Sequence, residues 1–168
     1  MRATDLDLRE LLEFEPTGGV IRFAGDRALL FNTVALGLLR RELVETLGLT
    51  TARGILTRFG YAHGWRTADA LRQQFEWDSE HEWQLAGGRV HQLQGFLTYE
   101  PVPRAPGEVP KGFASSVWRD SYEAQEHLAH LGPAAEPVCW TLTGFASGYL
   151  SRVAGRRILC FEEKCVAK

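Results

Sequence analysis

Concentrated charge, paired cysteines and long apolar runs are all missing from this 168-residue chain, and each absence removes a class of protein. Nineteen Lys and Arg residues against 21 Asp and Glu leave a formal net charge of -2 and a sequence pI of about 6.2. The arginines are scattered, whereas a phosphate backbone demands a concentrated basic surface, so direct contact with nucleic acid is not expected. Three cysteines cannot all pair within one molecule. A disulfide framework is excluded, and the thiols are expected to be free or on a metal in a reducing cytoplasm. No signal peptide opens the chain and no apolar run approaches the length of a membrane span.

Enzyme signatures are missing too. There is no phosphate-cradling glycine loop, no Gly-x-Ser-x-Gly elbow and no His-Glu-x-x-His helix. A reductase would need a hydride or electron source, yet the chain lacks a dinucleotide fingerprint and a complete iron–sulfur or haem motif. His63, His81, His127 and His130 are each a possible general base, but none is tied by spacing to a nucleophile, and His127 with His130 reads as one exposed helical face. The domain is not expected to be a catalyst. Its length suits one domain with a substantial core and is too short for a sensor, a motor and a DNA-reading module together.

What is present divides into a mainly helical first half and a mixed second half. Val20–Phe23 and Ala28–Phe31 are short apolar runs separated by Ala-Gly-Asp-Arg, which predicts an N-terminal hairpin within residues 1–31. A two-stranded hairpin is marginal alone, so this one is expected to join a sheet or cross to a second subunit. Val34, Leu38, Leu43 and Leu47 recur at helical spacing between a cap at Asn32 and a stop at Gly48. A second helix is predicted from about Thr50, broken around Gly60–Gly64, with a third over Thr67–Phe75. After a loop at Trp77–Glu82, the stretches Arg89–Glu100 and Gly112–Arg119 read as strands, joined by the proline-rich Pro101–Pro110. A helix capped at Ser121 and reaching His130, a long helix from Pro137 to about Val153, and a final strand Ile158–Cys165 complete the expectation. The fold class is α+β.

Cys139, Glu162 and Cys165 offer two thiolates and a carboxylate that meet only if the intervening residues fold back. Zinc favours four tetrahedral donors, so a closed site would need a fourth from Cys160, from water or from chain beyond Lys168. The alternative is that Cys139 is an ordinary buried thiol and the other two a chance pair.

Four blocks carry a family likeness: Arg40-Arg-Glu-Leu-Val-Glu-Thr-Leu-Gly-Leu, Ala52-Arg-Gly-Ile-Leu-Thr-Arg-Phe-Gly-Tyr, Val117-Trp-Arg-Asp-Ser-Tyr-Glu-Ala, and Glu136-Pro-Val-Cys-Trp-Thr-Leu-Thr-Gly-Phe-Ala-Ser-Gly-Tyr. They resemble the aromatic-effector sensor domain of sigma-54-dependent transcriptional activators, which contains the vinyl-reductase-like module. The resemblance spans about Phe14 to Lys168. It implies a mixed α/β sensor over residues 32–168 that dimerises, binds a small aromatic effector and relieves inhibition of an attached AAA+ ATPase. It also implies structural zinc on residues matching Cys139, Glu162 and Cys165, with the family's second cysteine falling past Lys168, so that the chain is expected to be C-terminally truncated.

A phenol-sized effector needs an apolar cavity with one or two polar groups for its hydroxyl. On paired strands His91 and Trp118 would share a face, and the resemblance implies that residues matching these two hold the hydroxyl. It further implies Tyr149 in the pocket wall. Phe96, Val117 and Phe145 are additional lining candidates, and Cys160 is expected to face the cavity if it is not a ligand. Toluene or xylene would leave a buried His91 unpaired, so phenol or a small substituted phenol is the expected effector. Toluene-type sensing and a vinyl-reductase-related enzyme acting on an aromatic or tetrapyrrole are the alternatives.

Overall fold

Two helices cross at the centre of the fold, and four glycines set how closely they approach. In the computed structural model, which describes residues 1–102 and 115–168, a single 3-10 turn (Ala3–Asp5) leads into helix α1 (Leu8–Leu11) and strands β1 (Leu12–Phe14), β2 (Ile21–Phe23) and β3 (Asp26–Ala28). Helices α2 (Thr33–Leu47), α3 (Leu49–Gln74) and α4 (Glu80–Leu93) follow, then strands β4 (Thr98–Pro101) and β5 (Ser116–Arg119), and helices α5 (Tyr122–Leu131) and α6 (Trp140–Ala154). The described residues thus form a mixed α+β fold with six α-helices and two small antiparallel sheets.

α3 and α6 are the central pair. A Cβ at Gly60 or Gly64 of α3 would lie 2.0 Å from the carbonyl oxygen of Thr141 or Phe145, and one at Gly144 or Gly148 of α6 would lie 2.3 or 2.0 Å from that of Thr57 or Tyr61. Each helix therefore presents a glycine stripe at i, i+4 spacing to the other's backbone. This overturns the expected break at Gly60–Gly64: α3 runs unbroken for 26 residues because those glycines serve contact with α6.

α2 has the expected bounds, with the Asn32 side chain accepting from the Ala35 amide at 2.8 Å and Gly48 ending it at φ +78°. α5 begins as expected at a Ser121 cap. Other boundaries differ. The N-terminal ribbon has three antiparallel strands, β1–β2–β3, and its third strand is Asp26–Ala28, directly after the Ala24-Gly25 turn, with Phe31 outside it. Leu6, Leu11 and Ala24 from this segment are buried with Leu71, Trp83 and Val90, and Asp26 holds Arg66 of α3 through two bonds of 2.8 and 2.9 Å.

Arg89–Leu93, expected in a strand, is the last part of α4, which Ser79 caps. Gly87 and Gly88 made this region look unhelical, yet they are the places where the rings of Tyr149 and Tyr99 lie on the helix, each within 2.7 Å of a would-be Cβ. Only Thr98–Pro101 pairs as a strand, with Tyr99 opposite Trp118. Gly112–Ala114 and the proline-rich stretch from Pro103 lie outside the described residues.

α6 begins at Trp140, three residues after Pro137, because its first amides are captured from outside: the Glu123 carboxylate accepts from Thr141 N at 2.9 Å and Leu142 N at 3.1 Å. The final strand does not form among the described residues. Ser151 Oγ accepts from Ile158 N and Ser147 Oγ from Cys160 N, both at 2.8 Å, so α6 side chains satisfy amides that a ladder would have used.

Candidate functional site

The second half of α4 delivers His91 into an aromatic cage. Its imidazole meets Trp118 edge-on at 5.3 Å between ring centroids, Phe145 of α6 at 4.5 Å and Phe96 at 5.9 Å. The ribbon β4–β5 brings the indole in, since Tyr99, paired with Trp118, lies over Gly88. His91 and Trp118 therefore converge as the sequence suggested, though from a helix and a strand and not from two paired strands.

Among the described residues, His91 Nε2 and Trp118 Nε1 are buried without a hydrogen-bond partner. Buried polar atoms are normally paired, and two orphans converging in one cage mark a place built for a polar atom from outside the chain. Burial holds His91 neutral, lowering its pKa to about 3, with the nearby His63 adding to the effect. Its position in the last turn of α4 would favour a cation, but desolvation wins. A neutral imidazole nitrogen accepts and an indole N–H donates, which suits a hydroxyl, able to do both.

Tyr149 is fully buried, stacked on Phe145 at 6.2 Å, and its hydroxyl donates to Trp83 O at 2.8 Å. It contributes a wall and no free polar group. Phe96 lies half-buried between His91, Phe145 and Tyr122. Val117 is different: it alternates with Trp118 on β5 and is 42% exposed, so the structure does not bring it into the cage. Cys160 is half-buried beside Ser147.

His63 was missed as a cage residue, because the glycines around it read as a helix break. Its ring stands edge-on to Phe145 at 5.0 Å and to Phe96 at 6.2 Å, on the other side of those rings from His91. The matched glycine spacing on α3 and α6 was the available signal. His127 also departs from expectation, since it is buried against Trp140 and not on an exposed face.

A second cluster lies at the start of α6. One donor atom each from Cys139, Glu162 and Cys165 falls within 4.8 Å of the others, and Cys160 is not part of the group. Donors around a tetrahedral zinc with bonds of about 2.0–2.3 Å sit about 4 Å apart, so the set fits such an ion after small adjustment. Glu162 accepts from Cys139 N at 3.0 Å, and Ser121 Oγ lies 3.2 Å from Cys139 Sγ, tying the cluster to the α5 cap. Burial pushes the Cys139 and Cys165 thiols up. Beside the cluster, Arg40 donates to Glu123 and to Val138 O, both at 2.6 Å, and stacks on Trp140. Burial pushes the Glu123 carboxyl up while Arg40 and the two α6 amides pull it down.

The family described as activator of aromatic catabolism matches residues 7–104, and the vinyl-reductase-like domain matches residues 118–168. The chain belongs to the activator-of-aromatic-catabolism family. It is 34% identical over 163 residues to the phenol regulator MopR of Acinetobacter guillouiae, covering 96% of this chain and 29% of that protein. It is 32% identical over 160 residues to the transcriptional regulatory protein XylR of Pseudomonas putida, covering 95% of this chain and 28% of that protein. The chain thus spans under a third of the length of these curated relatives, both named as regulators. A crystal structure of the phenol-responsive sensory domain of the transcription activator PoxR with phenol superposes with a TM-score of 0.84 at 34% identity, covering 95% of this chain and 80% of that one. No helix among the described residues is long and apolar enough to cross a membrane.

Proposed function

We propose that this member of the activator-of-aromatic-catabolism family is the effector-sensing domain of a cytoplasmic transcriptional activator and that it binds phenol or a small substituted phenol. The observation that carries the reading is the pair of unpartnered buried atoms, His91 Nε2 and Trp118 Nε1, in one aromatic cage. The phenol hydroxyl donates to His91 and accepts from Trp118, while Phe96, Phe145 and Tyr149 enclose the ring. A methyl-substituted hydrocarbon offers neither bond and leaves both atoms unpaired, which disfavours toluene or xylene. The domain signals by occupancy and performs no chemistry, and an attached AAA+ ATPase reads it.

Cys139, Glu162 and Cys165 would hold zinc as a structural ion that pins the C-terminal segment to the start of α6. The domain acts as a homodimer, with residues 1–31 as the pairing segment and residues 32–168 as the sensor. Leu29, Leu30, Phe31 and Val34 support this, since they form one apolar stretch left exposed, Leu30 at 75%. Light scattering that returns a monomer at tens of micromolar would oppose the pairing.

Calorimetry tests the effector. Phenol is expected to bind more tightly than toluene, and His91→Ala to weaken phenol by roughly ten- to a hundredfold, the range for losing a bond to a buried group. Toluene binding more tightly, or unchanged phenol affinity in His91→Ala, would remove the reading.

A further inference from the structure

A groove of about 320 Å³ opens between α2, α3 and α5, directly beside the cage. Its walls are apolar side chains from two helices, Leu36, Leu39 and Leu43 of α2 and Ile55, Leu56 and Phe59 of α3. Its inner end is formed by Phe96 and His63. These two side chains belong to both spaces, for Phe96 faces His91 at 5.9 Å and His63 faces Phe145 at 5.0 Å. One layer of side chains thus separates the hydroxyl-binding atoms from an apolar groove. By contrast the depression of about 420 Å³ between the β2–β3 turn and α3 is lined by Asp26, Arg66, Asp69 and glutamines and touches none of the candidate residues.

We propose that the α2–α3–α5 groove is a second compartment of the effector site, taking an apolar substituent carried on the phenol ring past Phe96, with His63 at the neck. The assignment rests on the phenol reading above. Continuity with the cage favours a ligand tail over a protein partner as occupant. So does size: the groove falls in the range of small-molecule pockets, whereas a stable protein interface needs roughly 800 Å² on each side. Phe96 is half-buried while Phe145 and Tyr149 are fully enclosed, so Phe96 is the wall that can turn aside. His63 is held neutral by burial and adds no charge at the neck.

The test is a calorimetric series on the 168-residue chain with phenol and its ethyl, propyl and butyl derivatives at the meta and para positions. Burial of each methylene should tighten binding by about four-fold in the better-fitting series. The ratio of butylphenol to phenol affinity should collapse toward one in Ile55→Trp and in Leu39→Trp, two variants that narrow the groove from different helices. Leu39 is 54% exposed, so its replacement keeps a folded protein available for the comparison. A flat or falling series in the parent protein, with phenol itself bound, would overturn the groove assignment alone. If that flat series accompanies a dimer broken by Leu39→Trp, a second copy of the chain occupies the groove and the proposal is likewise overturned. Failure of phenol itself to bind would remove the effector reading, and the groove assignment with it.

Discussion

His91 acts through being uncharged. Its environment lowers the pKa to about 3, so protonation is absent over the whole physiological range and the imidazole keeps an acceptor for a hydroxyl. Phenol affinity is therefore expected to stay flat between about pH 5.5 and 8, whereas an ordinary histidine would lose its acceptor as the pH fell through about 6.5. Stability carries the opposite signature. Between the unfolded value of about 6.5 and the folded value of about 3 the unfolded chain binds a proton that the folded chain refuses. The contribution of neutral His91 is present above about pH 6.5 and falls away by up to about 1.4 kcal/mol per unit as the pH drops through that window. His63, also lowered by burial, adds in the same direction. Urea titrations at stepped pH check this. His91→Phe should flatten the acid limb, and an unchanged limb would mean that His91 is not the buried neutral group.

At the scale of elements the glycines reverse an ordinary rule. Glycine to alanine inside an exposed helix stabilises by about 1 kcal/mol, but a Cβ at Gly60 would stand 2.0 Å from the Thr141 carbonyl oxygen, which belongs to backbone and cannot swing aside. Gly60→Ala should cost about 3 kcal/mol and loosen the cage, because α6 carries Phe145 and Tyr149. Gly54→Ala on the same helix meets only the end of the Arg58 side chain at 3.3 Å and should be neutral or stabilising. Urea midpoints of the two variants give the comparison, and equal effects would contradict the close α3–α6 contact. The same glycines explain what the sequence concealed. α2 and α5 were legible because Asn32, Gly48 and Ser121 are local caps whose meaning needs no tertiary context. α3 and α4 were misjudged because a glycine that admits a neighbouring backbone or a tyrosine ring looks, in one dimension, like a glycine that ends a helix. The last segment was misjudged for a related reason, since its amides are met by Ser147 and Ser151 at positions that spacing cannot reveal. Cys139, Glu162 and Cys165 converge as donors even so, through an extended segment without a strand.

Over the whole molecule, the cage and the thiol cluster share α6. Cys139 precedes its first turn and Phe145 and Tyr149 lie further along it, so an ion that fixes the start of the helix also steadies the cage. One zinc per chain is expected by elemental analysis, a chelator should lower the melting temperature, and Cys139→Ser should melt lower than the parent while responding little to the chelator. Absence of zinc together with an unchanged melt in Cys139→Ser would return the cysteines to the role of buried thiols. The central claim, that one effector oxygen is shared between His91 and Trp118, has a more direct readout in the nitrogen-15 NMR spectrum, with the Trp118 indole signal identified by its loss in Trp118→Phe. Titration with phenol should shift both the Trp118 indole N–H and His91 Nε2, and toluene at matched occupancy should leave them close to their ligand-free positions. Equal shifts with toluene, or no shift of either nitrogen at saturating phenol, would contradict the account.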